Sequence, residues 1–168
     1  MKPELKDTID KHRKKTSVDN FYYNRFLGVR YLSALLIVTN VYWLIALILS
    51  GFSWAWILPI IPLAVSLPAI AEQVRLFRAR EHEAPHTKRL LQVTVAINVI
   101  SGVMVMTPLF SNLYPFIVKS PTTQNILLLI LLSGILLSMI GLVKLKRVAE
   151  KRDRLYAKIQ AYEKSVKE

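Results

Sequence analysis

One short stretch matches a known catalytic chemistry: His82-Glu83-Ala84-Pro85-His86, a literal H-E-x-x-H. On a helix this spacing sets two imidazoles on one face to bind zinc, with the glutamate as general base in peptide hydrolysis. Pro85 stands inside the pattern and disfavours helical backbone at Ala84, which spoils the register that makes the ligands converge. His12 is the one other histidine, and no further motif offers a third ligand at a workable spacing. The chain has no cysteine, which removes thiol catalysis, Cys-ligated zinc and disulfides. The motif therefore reads as incidental, and neither a catalytic residue nor a bound metal or cofactor is expected.

The remaining candidates are uncharged. Asn40, Gln92 and Asn98 are carboxamides within long apolar runs, where they would either line a polar path or hydrogen-bond between helices. At an offset of 58 residues, Asn40-Val41 aligns with Asn98-Val99 and Phe52-Ser53 with Phe110-Ser111. Chance similarity among apolar helices produces such an echo; the alternative, a tandem two-helix duplication, would place the two asparagines at matching depth and able to bond across a bundle. Proton-coupled transport normally uses an embedded ionisable group, and Glu72 is the carboxylate nearest to such a position. The chemistry points away from catalysis and from proton-driven antiport.

The elements that must position these groups are membrane helices. From Tyr31 to Ala71 there is no Asp, Glu, Lys, Arg or His. A helix needs roughly 20 apolar residues to cross a bilayer, so this stretch is two crossings joined near Ser50-Gly51-Phe52-Ser53. Lipid offers no partner for open backbone, which requires both to be helical. Two further apolar runs complete an all-α, four-helix transmembrane bundle forming a single domain. The segments read as 1–25 (basic, cytoplasmic), 26–49, 54–77, 78–89 (cytoplasmic), 90–107, 108–123 (external), 124–143 and 144–168 (cytoplasmic). The net charge is +12, and all of the 23 Lys and Arg except Lys119 fall on one side of this arrangement. The positive-inside rule then places both termini in the cytoplasm, in an uncleaved multi-pass protein of a bacterial cytoplasmic membrane. The same cations suit anionic headgroups; no base-stacking or groove-binding module accompanies them, so nucleic acid is not expected as a partner.

Locally, residues 3–15 read as a short helix, followed by Thr16-Ser17-Val18-Asp19 as a capping box that starts the next one. Pro59, Pro62 and Pro68 imply a kink or a late start in the second crossing, with Glu72 and Arg75 reaching toward water at its end. The external segment 108–123 reads as the main part exposed on that side. The strongest pattern is at the end of the chain. Gly134, Ser138 and Gly141 form a small-residue face that lets membrane helices approach closely. The same spacing continues through Leu145, Val148, Leu155, Ile159 and Tyr162, with Arg152 interrupting it. This reads as one continuous helix carrying an association seam from lipid into water, facing a second copy, another membrane protein or the chain's own N-terminal segment. The expected function is a non-enzymatic accessory, scaffold or regulatory subunit of a membrane complex. The alternative is a small oligomeric permease with a polar path near Asn40, Gln92 and Asn98.

Overall fold

The computed structural model describes residues 3–51, 53–76, 83–157 and 159–160, with side chains from Asn20 onward. Among these, every regular element is helical, and four helices are long and apolar enough to cross a membrane. In chain order they are α1 (Pro3–Leu49), α2 (Ile57–Arg75), α3 (Pro85–Val105), the single turn α4 (Phe110–Leu113) and α5 (Pro121–Ala149).

α1 is unbroken through Thr16–Asp19, so the expected boundary there is wrong. A capping box ends a helix only where the backbone leaves helical geometry, and here the Thr-Ser-Val-Asp run stays within it. The second crossing opens with a one-turn 3-10 helix, Trp54–Trp56, whose N-cap Ser53 accepts a hydrogen bond from the Ala55 amide at 3.2 Å. Pro59 falls near this start, while Pro62 and Pro68 lie inside α2 and remove donors that would reach the Leu58 and Ala64 carbonyls. α3 begins at Pro85, five residues earlier than the sequence reading. Proline fits the first helical position because its missing N–H would have no partner there.

The bundle has two apolar clusters. One, toward the termini, joins Phe26, Val29 and Leu36 of α1 to Leu76, Leu91, Leu145 and Val148. The other lies at the opposite end and is built around the segment expected to be exposed. Phe110, Leu113 and Tyr114 are buried there against Leu58, Ile97, Val105 and Leu127. Ser53 Oγ donates to the Asn112 carbonyl at 3.1 Å, and Gln124 Nε2 to the Val105 carbonyl at 2.9 Å, tying this cap to both hairpins. The segment folds under the helix ends because its aromatics bury more apolar area there than water would allow.

α5 does not extend to the C-terminus as one helix. It stops at Ala149; Lys151 takes a left-handed φ of 56°. The Lys151 amide then bonds the Val148 carbonyl at 3.1 Å and the Arg152 amide the Arg147 carbonyl at 2.9 Å. This is a Schellman stop with lysine where glycine is usual. Residues 154–157 resume as helix behind Asp153, whose carboxylate caps the Tyr156 amide at 3.2 Å.

Candidate functional site

The small-residue face of α5 is filled from within the chain. A methyl group added at Gly141 would sit 2.6 Å from Leu32 Cδ2 and 2.8 Å from Leu91 Cδ1. One added at Gly134 would sit 2.5 Å from Asn98 Nδ2. Ser138 is fully buried and returns its hydroxyl to the Gly134 carbonyl at 2.8 Å. Leu145, Val148 and Ile159 are buried, Leu155 is half-buried, and Tyr162 lies outside the described residues. These residues therefore do not form one straight stripe facing outward. The glycines let α5 approach α1 and α3, and the turn at 150–153 redirects the aqueous part onto α1.

That redirection centres on Arg25, the last residue of the basic segment 1–25. It is 1% exposed. Its Nη2 and Nε grip Asp153 Oδ1 and Oδ2 at 2.6 and 2.9 Å, a two-pronged charge-assisted pair. Nη2 also donates to the Val148 carbonyl at 2.9 Å, one of the carbonyls at the negative end of α5. The guanidinium lies 5.0 Å from the Tyr156 ring centroid and 5.9 Å from that of Tyr22. Burial raises the Asp153 pKa, but the hydrogen bonds and charge of Arg25 outweigh it and hold the carboxyl below its usual value.

A second buried network joins α2 to α3. Glu72, expected to reach water, is 4% exposed. Its Oε1 accepts the His86 amide at 3.0 Å; its Oε2 accepts the Thr87 amide at 2.7 Å and the Thr87 hydroxyl at 2.8 Å. Ala84, the N-cap residue, has no side-chain oxygen to offer these orphan amides. A carboxylate from the neighbouring helix does so instead, favoured by the positive end of α3.

The same geometry commits part of the H-E-x-x-H stretch. His82 lies outside the described residues, and Glu83 precedes the helix. His86 is the second residue of α3, its backbone committed to Glu72. Among the described residues no cluster of three or more His, Asp or Glu is placed to hold a metal ion.

The three carboxamides are divided. Asn40 and Asn98 line one cavity of about 390 Å³ between α1, α3 and α5, with Trp43, Tyr114 and Phe116 on its wall. Trp43 and Tyr114 stack there, centroids 5.6 Å apart. Along their own helices both asparagines lie about 13–15 Å from the nearest cation, Arg30 or Arg89. They do not bond one another. Asn40 Nδ2 donates to the Leu36 carbonyl of its own helix at 2.8 Å, and Asn98 has no hydrogen-bond partner among the described residues. Gln92 is exposed on another face of α3, beside Lys88, Lys146 and Glu150. It does not continue a path from the asparagines.

Fold and site together define an all-helical protein with four helices of membrane-crossing length; among the described residues its buried charged side chains, Arg25 and Glu72, lie at one end. No family model, curated protein or solved structure matches this chain.

Proposed function

We propose that the chain is a non-enzymatic accessory or regulatory subunit of a membrane complex. In this reading it crosses a bacterial cytoplasmic membrane four times, with both termini inside. The observation that carries it is the engagement of Glu72. The one carboxylate within a crossing is spent capping α3 through three hydrogen bonds. A group that couples protons or acts in catalysis must be free to exchange them. The topology rests on the basic residues around both termini and the connection before α3. Because the glycine face is occupied by α1 and α3, a partner would have to use other surfaces of the bundle.

Tagged protein purified in mild detergent should carry one other membrane protein at fixed stoichiometry through stringent washing. Recovery of the chain alone, or only of copies of itself, would remove the reading. A single cysteine at Thr122 should react with an impermeant thiol reagent in intact cells, while one at Lys146 should not. The reverse pattern would invert the topology.

A permease is the second reading, favoured by the shared cavity of Asn40 and Asn98. Leucine nearly matches asparagine in shape, and Asn98 gives up no hydrogen bond among the described residues. Asn98→Leu should therefore leave folded abundance and co-purification unchanged, with an effect on stability below about 1 kcal/mol. Solute flux in reconstituted vesicles that this substitution abolishes, with folded protein retained, would decide for the permease.

A further inference from the structure

We infer that the groove between α1 and α2 at the terminal end of the bundle is a binding site for one anionic phospholipid. The groove encloses about 830 Å³. Arg30 and Arg75 stand among its lining residues, and none of the described residues that line it is Asp or Glu. Beyond them the wall is Ala34, Val38 and Ile70, apolar and exposed along the helix surfaces. The site rests on membrane insertion alone and not on the accessory reading.

The arrangement matches a lipid in both charge and depth. Arg30 is held in place: its Nη2 donates to the Gln73 backbone carbonyl of α2 at 3.0 Å, and its guanidinium lies 4.6 Å from the Tyr23 ring centroid. A fixed guanidinium holds a positive charge at the mouth of the groove, which suits the negative charge of a phosphate diester. Arg75, exposed in the last turn of α2, adds the second positive charge. From Arg30 to Val38 is about 12 Å of helix, most of one leaflet's hydrocarbon depth of about 15 Å. A headgroup at the arginines therefore lays the first part of an acyl chain along Ala34 and Val38. Ala34 keeps the groove open, because a larger side chain there would occupy the chain's place. A soluble phosphate compound would use the arginines and leave this apolar wall unused; a neutral lipid would do the reverse.

Native mass spectrometry of the full chain, with phosphatidylglycerol and phosphatidylcholine of equal chain length supplied together, tests the site. Wild type should retain one phosphatidylglycerol in preference to phosphatidylcholine. Arg75→Gln should reduce that retention roughly fivefold, the effect of one cation at an anionic membrane surface, and Arg30→Gln/Arg75→Gln should reduce it further. Arg30 also ties two helices, so Ala34→Phe provides a separate test that leaves both charges and the Gln73 bond in place. It should lose the lipid by filling the groove. Lys146→Gln/Arg147→Gln removes two charges from α5 outside the groove and should change nothing. Equal losses in that control would reduce the effect to general surface charge and overturn the site. So would unchanged retention in Arg75→Gln and Ala34→Phe.

Discussion

Asp153→Asn should cost about 3–5 kcal/mol of unfolding free energy, the loss typical of leaving one member of a buried ion pair uncompensated. Asparagine keeps an oxygen to cap the Tyr156 amide, so the loss reports the charge facing Arg25 and not the cap. Arg25→Met should cost a similar amount from the other side. The pair is a clasp between α1 and the segment after α5, so the double variant Arg25→Met/Asp153→Leu should fall well short of the sum. It removes both charges together and leaves mainly the missing cap, about 1 kcal/mol. Unfolding in mixed micelles measures all four proteins, and single variants within about 1 kcal/mol of wild type would mean that the clasp is solvated surface. The pH dependence has a fixed sign. Asp153 has a lowered pKa in the folded protein, so its contribution is complete above the unfolded value of about 3.8 and is lost as pH falls through the folded value. Arg25→Met should reduce that acid-side loss, leaving only what the Asp153 and Tyr156 backbone hydrogen bonds contribute.

The four long apolar helices were legible because a bilayer would leave such runs little choice. Runs free of charge and long enough to span it must be helical, and the Ser50–Ser53 break is the turn between two of them. The end of α5 was not legible. Glu150-Lys151-Arg152 contains neither glycine nor proline, and the 4-3 spacing of Leu145, Val148, Leu155 and Ile159 passes straight through it. The stop forms where Asp153 meets Arg25, 128 residues away, and a left-handed lysine is the local cost of that contact. One signal was present: Asp153 is a good N-cap residue, and a cap implies that a helix starts anew behind it. The glycine face packs against α1 and α3, but its spacing carries no information about which helix approaches. Likewise the matched asparagines lie at similar distances along their helices and share a cavity, while the bond that a duplication would allow between them is absent among the described residues. Depth follows from position along each helix; contact depends on rotation, which the apolar pattern of a membrane helix leaves free.

Glu72→Ala should destabilise the protein by about 3 kcal/mol and do so mainly at one place. It strips the partner from the His86 and Thr87 amides and from the Thr87 hydroxyl. A buried donor left without an acceptor costs about 1–3 kcal/mol, and the Thr87 amide is buried. Hydrogen exchange should therefore accelerate in the first turn of α3 before it changes elsewhere. A local replacement should recover part of the loss. Ala84 already has N-cap backbone geometry without a capping side chain, so Ala84→Ser in the Glu72→Ala background should restore about 1 kcal/mol by accepting one of the freed amides. The serine supplies an acceptor but no negative charge, so recovery should stay partial. Glu72→Gln separates these contributions further: it retains one acceptor oxygen, best placed toward Thr87, and turns the other position into a donor facing the His86 amide, and should fall between wild type and Glu72→Ala. The same variants bear on function. If Glu72 serves as a cap, loss of partner co-purification should follow the loss of folded protein across the series and recover with Ala84→Ser. If it is a coupling group, Glu72→Gln should abolish a proton-driven flux in vesicles while α3 keeps its exchange protection. That outcome would overturn the accessory reading, because the carboxylate would then be essential for its ability to titrate and not for the helix end it holds.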